Sequence, residues 1–568
     1  MRIKFLANGP INNIVTKPNY RVYVNPAYFM MKHYHTLHGK HKPTWLLPEF
    51  IATSTAQEQV DLLVRNRVNL LLLACFVWNM DLQMEIAKLY RKQVPRGRVV
   101  VGGPQLTAHK DPQFFEKYPY VDYAVYGDGE KALSNIIDYL SSGSRGRPSR
   151  STRSPWVNTV ENVNGKAHVW PFEVLKDEKY WSTSPFLTQK KFIRDSIEKI
   201  YKEGFTKKHV VFAIEFARGC MYKCAYCDWS QNLTKKVTRR KAEWKLELDF
   251  FCELDVQIRE TDANFGQWDQ DIEIYNYAKS LHKHKNNFRF FVSNTSKLKK
   301  NSHHFYIGNG KWGGEVKFSL EDTEEVPLKA MNRPSLTWEQ HQEVMATVRD
   351  KLGAQFNRLA VAELILGMPK QSIKTFKENF KKLITEGLRI LPNHLVLAPN
   401  SPAGDPLYTK EHRIEWKTHY LFQGHDSKNP GAPDSIDELY KTAPTNPQFV
   451  KQSMVWKTND MEYVDIITVL IAGALSKSTM LRKQIIEIYQ TAVINHDNPD
   501  MSAVVDLLFD HSAKLAKAKL AQHKEAIEKY GFVVPGLIYK NKWMNGWGRA
   551  LYYHSDYFHK DLQENYKI

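Results

Sequence analysis

Arg218-Gly219-Cys220-Met221-Tyr222-Lys223-Cys224-Ala225-Tyr226-Cys227-Asp228-Trp229 gathers three of the chain's five cysteines into eight residues, directly after a strand-like run, Val210 to Ala217. Three thiolates spaced Cys-x3-Cys-x2-Cys on a compact loop can bind three irons of a cubane and leave the fourth without a protein ligand, open to a cofactor or substrate. Structural zinc wants four closed ligands, so that alternative must recruit Cys252 or a histidine such as His209. Inert burial suits the segment poorly, because Lys223, Asp228 and the Arg-Gly lead-in describe a loop.

Outward from this loop, strand-like runs recur between His209 and Pro402 at helix-permitting intervals: VVFAIEFA, FRFFVSN (Phe288–Asn294), VKFSLE (Val316–Glu321), RLAVAELILG (Arg358–Gly367) and HLVLAP (His394–Pro399). The pattern predicts a β/α barrel, complete or partial, over 209–407, with its chemistry at the carboxyl ends of the strands. Upstream, residues 1–140 alternate strands and helices with glycine turns after Arg98–Gly102 and Val121–Tyr126, which predicts a Rossmann-like parallel sheet. Ser141 to Pro155, rich in Ser, Arg, Gly and Pro, opens a linker and connecting segment over 141–208. Its arginines Arg145, Arg147, Arg150 and Arg153 read as a solvated connector or as phosphate contacts. Residues 408–568 read as mainly helical. Near their end, Trp543, Trp547, Tyr552, Tyr553 and Tyr557 read as core or as a substrate pocket lining. The fold class is therefore α/β, with a helical carboxyl-terminal region.

Composition agrees with a globular chain: 42% hydrophobic and 25% charged residues over 568 exclude a disordered, collagenous or coiled-coil protein. The apolar runs Leu70–Trp78 and Ile466–Leu475 fall short of a membrane span, so no membrane partner is expected. Met1 leads into a strand-like IKFLANGP, not a charged and then apolar leader, and the odd cysteine count suits a reducing compartment. A cytoplasmic location is the expectation. A net charge of +19 and the basic run Lys235, Lys236, Arg239, Arg240, Lys241 raise a nucleic-acid-binding or RNA-modifying alternative. An ordinary basic surface is preferred, since no RNA-binding module is recognisable.

The cysteine motif, with Tyr226 directly before its last cysteine, resembles that of the radical S-adenosylmethionine (SAM) enzymes, specifically those carrying an amino-terminal cobalamin-binding domain. The resemblance runs from about Ile3 to Tyr408. It implies that Cys220, Cys224 and Cys227, the candidate catalytic and metal-ligating residues, hold a [4Fe-4S] cluster whose open iron chelates SAM. It implies SAM contacts from Tyr226, from Asp262, Asn264 and Gly266 in DANFG, from Ser293, from Ser319 and Glu321, and from Ile365 and Gly367 in ELILGMP. Leu328 to Arg333 (LKAMNR) and Leu397 to Pro402 (LAPNSP) resemble further family segments.

In residues 1–140 the resemblance implies cobalamin contacts at Cys75 and Trp78, at the pair Gly102 and Gly103, and at Gly127 and Gly129. An empty Rossmann-like domain with tight turns is the alternative. No Asp-x-His-x-x-Gly is present, and Cys75 replaces the usual serine. A histidine lower ligand to cobalt is therefore not expected, which favours reduction to cob(I)alamin and methyl transfer. Gln270 stands where relatives frequently carry arginine. The implied activity is methylation of an unactivated carbon, with cyclisation or rearrangement as the alternative. The implied partners are a small-molecule or peptide substrate and an electron donor such as flavodoxin or ferredoxin.

Overall fold

The computed structural model describes residues 1–7, 22–50, 55–143, 156–229, 237–266, 268–281, 288–289, 302–311, 314–422, 449–476, 501–522, 524, 537–539 and 542–544. Ser293, residues 144–155 with the linker arginines, Lys235, Lys236, Trp547, Tyr552, Tyr553 and Tyr557 lie outside them.

The strands in chain order are β1 (Arg2–Leu6), β2 (Val22–Val24), β3 (Thr44–Trp45), β4 (Leu70–Ala74), β5 (Arg98–Gly102), β6 (Tyr123–Val125), β7 (Thr159–Val163) and β8 (Lys166–Val169). All but β2 form one sheet, ordered β3-β1-β4-β5-β6-β7-β8. β3, β1, β4, β5 and β6 run parallel, and β7 and β8 add antiparallel. All five residues of β4 (LLLLA) are buried, as a central strand covered on both faces requires. Helix Gly129–Ser141 leaves β6 and packs on helix Ala27–His38.

This sheet runs past residue 140, where the sequence suggested a boundary. The β7–β8 hairpin turns on Asn164 and Gly165, with φ of +54° and +84°. Asn-Gly flanked by alternating residues is a strong hairpin signal, overlooked because the neighbouring Ser/Arg-rich run dominated the reading. The rest of 141–208 also carries helices Glu178–Ser182 and Lys190–Lys202.

The second unit begins with β9 (Val210–Ile214), continues through the short β10 (Ala217–Arg218) and β11 (Thr238–Arg239) to β12 (Gln257–Glu260) and β13 (Phe288–Arg289), then β14 (Val316–Glu321), β15 (Ala360–Leu366) and β16 (Arg389–His394). Among the described residues these make two parallel arcs, β13-β12-β9-β2 and β14-β15-β16. The expected barrel is thus partial. It takes in β2 from the amino-terminal region, pairing Val22 with Val210, so residues 1–140 are not a closed unit. The sixth barrel strand lies at 389–394, ahead of the expected HLVLAP; Leu395 and Leu397 follow it as buried residues of the turn. In the carboxyl-terminal region β17 (Glu415–Phe422) and β18 (Phe449–Lys457) form an antiparallel pair that the helical reading did not include. Helices Tyr463–Ser476 and Met501–Gln522 pack on each other and on the barrel side. No described helix is long and apolar enough to cross a membrane.

Candidate functional site

β9 delivers the chain to Glu215, and the loop from Gly219 to Trp229 opens at the carboxyl end of that strand. Its entry is fixed by β10 pairing with β11. Its floor is fixed by two main-chain bonds, Ala225 N–H to Met331 O (2.7 Å) and Ala403 N–H to Ala225 O (2.7 Å), and by the Asn332 side chain, whose Nδ2 donates to Lys223 O (2.9 Å). Two loop amides face sulfur, Tyr222 N–H to Cys220 Sγ at 3.4 Å and Trp229 N–H to Cys227 Sγ at 3.5 Å. Asn264 Nδ2 lies 2.7 Å from Cys220 Sγ. Burial pushes the Cys227 thiol up to about 11.

Donor chemistry fits a cluster better than zinc. Three thiolates on one loop leave a structural zinc one ligand short, whereas a cubane takes one iron per thiolate and leaves one open. His209 precedes β9, at the strand end opposite the cysteines, and its Nδ1 accepts from Thr206 N–H (3.0 Å). Cys252 sits on helix Trp244–Leu254.

The DANFG turn follows β12. Asn264 reaches the cysteine loop, but Asp262 does something else: its carboxylate accepts from Phe216 N–H (2.7 Å) and Ala217 N–H (2.9 Å). That buried carboxylate holds the entry to the loop in place, and burial raises its pKa well above the usual range. Gly266, at φ +102°, donates its N–H to Asp271 (2.8 Å). At the end of β14 the register with β15 shifts between Ser319 and Glu321, and Glu321 takes φ +64°. Such a bulge re-aims a side chain. Glu321 accepts from Arg333 (3.1 Å) and from the Tyr226 hydroxyl (3.4 Å). Burial raises the Glu321 carboxyl despite Arg333. Arg333, only 8% exposed, also bonds Ser319 O at 3.3 Å. It lies in LKAMNR, quoted for its resemblance yet not singled out as a site residue. Ser319 Oγ donates to Glu363 (3.1 Å). After β15, Gln371 accepts from Gly367 N–H and donates to Ile365 O, both at 2.8 Å, so these two expected residues shape the turn that ends β15.

A cavity of about 340 Å³ lies at the carboxyl ends of β4, β5 and β6. Gly102, Gly103, Gly127 and Gly129 line it, and its far wall is Glu215, Arg218, Gly219 and Thr261 from the barrel side. The strand ends of both units therefore open onto one space, which begins one residue before Cys220. Gly103 has φ +122°, and a Cβ there would sit 2.3 Å from Cys75 O. Cys75 itself is fully buried beneath this turn and does not line the cavity; burial raises its thiol pKa. Trp78 stacks on Phe76 (4.7 Å, 5°), and Phe76 lines the cavity while Trp78 does not.

Two clamps join the units. Asn400, in LAPNSP, donates to Pro104 O (2.6 Å) and Leu106 O (2.9 Å). Arg218 bonds Glu215 (2.8 Å), Glu130 (2.8 Å) and Asp128 (3.2 Å), and lies over the Trp181 ring. Tyr180 donates to Glu130 (2.9 Å). No local pattern announces the contacts that join the units, since Arg218 stands about ninety residues from Asp128 and Glu130, and Asn400 nearly three hundred from Pro104 and Leu106. A mostly apolar space floored by glycines, where main chain can meet a flat ligand, fits a corrinoid.

Comparison with known proteins agrees with this geometry. Residues 50–137 match the B12 binding domain family. The chain is 26% identical over 411 residues to the cobalamin-dependent radical SAM methyltransferase TokK of Streptomyces tokunonensis, covering 69% of this chain and 55% of that protein. It is 28% identical over 419 residues to the 2-(S-pantetheinyl)-carbapenam-3-carboxylate methyltransferase of Streptantibioticus cattleyicolor, covering 70% and 55%. The chain thus spans about half the length of these curated relatives. The solved structure of the cobalamin-dependent SAM radical enzyme OxsB, with aqua-cobalamin and SAM bound, shares the fold: TM-score 0.54 and 13% identity, covering 100% of this chain and 84% of that one. With a B12 binding domain match, a cysteine loop at the mouth of a partial barrel and one cavity between them, the chain is similar to a cobalamin-dependent radical SAM methyltransferase over 69% of its length.

Proposed function

We propose that this protein is a cobalamin-dependent radical SAM methyltransferase acting on an unactivated carbon of a small-molecule or peptide substrate, fed by a reduced flavodoxin or ferredoxin. The observation that carries the reading is the shared cavity, floored by Gly102, Gly103, Gly127 and Gly129 and walled by Arg218 and Gly219 at the root of the cysteine loop. When bound, a [4Fe-4S] cluster with SAM supplies a 5′-deoxyadenosyl radical, and cobalamin supplies a transferable methyl group. Cys220, Cys224 and Cys227 would hold the cluster, with Asn264 donating to the Cys220 sulfur. Tyr226, Gly266, Ser319, Glu321, Ile365 and Gly367 would surround SAM. Asp262 acts as a positioning residue through the Phe216 and Ala217 amides. Arg218 and Asn400 fix the corrin-side unit against the barrel, so the residues that would hold the two cofactors border one space.

The test is anaerobic reconstitution of the full chain with iron, sulfide and hydroxocobalamin, followed by SAM turnover under reductant. Release of 5′-deoxyadenosine together with S-adenosylhomocysteine supports methyl transfer. 5′-Deoxyadenosine alone turns the reading toward cyclisation or rearrangement, and intact SAM rejects it.

A further inference from the structure

One buried side chain ties the end of β14 to the turn after β15. At the end of β14, Glu321 takes φ +64° beside a register shift, and its carboxylate meets Arg333 and the Tyr226 hydroxyl. A non-glycine residue in that conformation persists only where its surroundings over-determine it, and such positions cluster at ligand clamps. The next residue, Asp322, is buried and supplies the restraint. Its Oδ1 accepts from Glu324 N–H (2.8 Å) and Asn379 Nδ2 (2.9 Å), and its Oδ2 accepts from Gln371 Nε2 (2.7 Å). Gln371 is fully buried and does not line the cavity. Its amide nitrogen also donates to Ile365 O (2.8 Å), and its oxygen accepts from Gly367 N–H and Met368 N–H (2.8 Å each). A carboxylate and a carbonyl need two hydrogens, two main-chain N–H groups need an acceptor, and a primary carboxamide offers both from one side chain.

Resting on the proposed function, in which Glu321, Ile365 and Gly367 surround SAM, we propose that Gln371 is a positioning residue for SAM. Without touching SAM it locks the β15 turn to Asp322, and through Asp322 it holds Glu321 in its left-handed conformation, so that the two strand ends keep a fixed spacing. Losing the Gln371 to Asp322 bond frees the β14 end from the β15 turn, and the ordering of both must then be supplied when SAM binds.

The experiment measures SAM affinity on the anaerobically reconstituted, reduced full chain as the shift of the cluster's electron paramagnetic resonance signal during SAM titration. Iron per chain and hydroxocobalamin affinity are read on the same preparations. Gln371→Glu keeps the acceptor for the Gly367 and Met368 amides but sets a carboxyl group against Asp322. It is expected to weaken SAM about tenfold or more, the range of one hydrogen bond to a charged group. Hydroxocobalamin, bound at the other unit, and iron per chain are expected to stay within about twofold. Adding Asp322→Asn returns a donor between the two side chains and keeps an acceptor for Glu324 and Asn379, and is expected to bring SAM affinity back to within about threefold of wild type. Should Gln371→Glu not fold, Asn379→Leu, which removes another donor from Asp322, carries the test with SAM weakened several-fold. SAM affinity unchanged in the single variant, SAM and hydroxocobalamin weakened by the same factor, or no recovery on adding Asp322→Asn overturns the assignment and leaves SAM binding standing. A fully loaded wild-type cluster whose signal ignores SAM overturns the radical SAM reading itself, and this assignment with it.

Discussion

The neighbouring glycines Gly102 and Gly103 separate a fold requirement from a binding requirement, and alanine at each should fail differently. At Gly103 the backbone φ of +122° lies where L residues rarely go, and the added Cβ would meet Cys75 O at 2.3 Å and Cys75 C and N at 3.0 Å. Those are main-chain atoms of a turn tied to Gly102 O by Cys75 N–H at 2.6 Å, so they cannot step aside cheaply. Left-handed strain of about 1–2 kcal/mol plus an overpacking cost of about 1–3 kcal/mol gives Gly103→Ala a loss of roughly 2–5 kcal/mol. At Gly102 the nearest atoms to a new Cβ are Val125 O at 3.8 Å and Val125 Cβ at 4.0 Å. Gly102→Ala should hold stability to within about 0.5 kcal/mol while placing a methyl on the cavity wall. Thermal unfolding without ligand, paired with hydroxocobalamin titration, reads the two effects apart. The expectation is a Tm several degrees lower for Gly103→Ala, and an unchanged Tm with weakened corrinoid binding for Gly102→Ala. A Gly102→Ala protein that binds hydroxocobalamin as tightly as wild type would refute the idea that main chain at this strand end meets the corrinoid.

Other outcomes follow from the same contacts. Asp262→Ala leaves the Phe216 and Ala217 amides buried without their acceptor, and should cost about 2 kcal/mol or more and lower the iron retained per chain, measured by chemical unfolding and iron assay. Arg333→Met strands the Glu321 carboxylate and should cost about 3–5 kcal/mol. Adding Glu321→Leu should restore much of that loss, which a double-mutant cycle in urea measures. His33, held between the Thr183 and Thr188 hydroxyls, and His341 both have pKa values lowered to about 4, chiefly by burial. The unfolded chain protonates them near 6.5, so their stabilisation is complete above that pH and lost as pH falls towards 4. Each should contribute up to about 1.4 kcal/mol per pH unit in that window, and His341→Gln should flatten the slope of stability against pH between 6.5 and 4.

What the sequence made legible was local. β5 and β14 lie at the residues expected because each is a short β-branched or alternating run with a turn at its end, and the cysteine loop sits where its spacing put it. Chemistry carried by long-range contacts was not legible. Nothing near Asp262 tells that its carboxylate turns back to the Phe216 and Ala217 amides instead of outward, and Arg218 meets Glu130 only once two units pack. The β17–β18 pair escaped because its residues mix charge with aromatics and lack clean alternation. Trp78, singled out for its place after β4, stands beside the cavity lining and outside it.

The most direct measurement is metal analysis and electron paramagnetic resonance of the anaerobically reconstituted, reduced full chain with and without SAM. The account predicts about four irons per chain and a cluster signal that shifts when SAM is added, lost on Cys224→Ala. Zinc bound at those cysteines, or a fully loaded cluster whose signal ignores SAM, would contradict it.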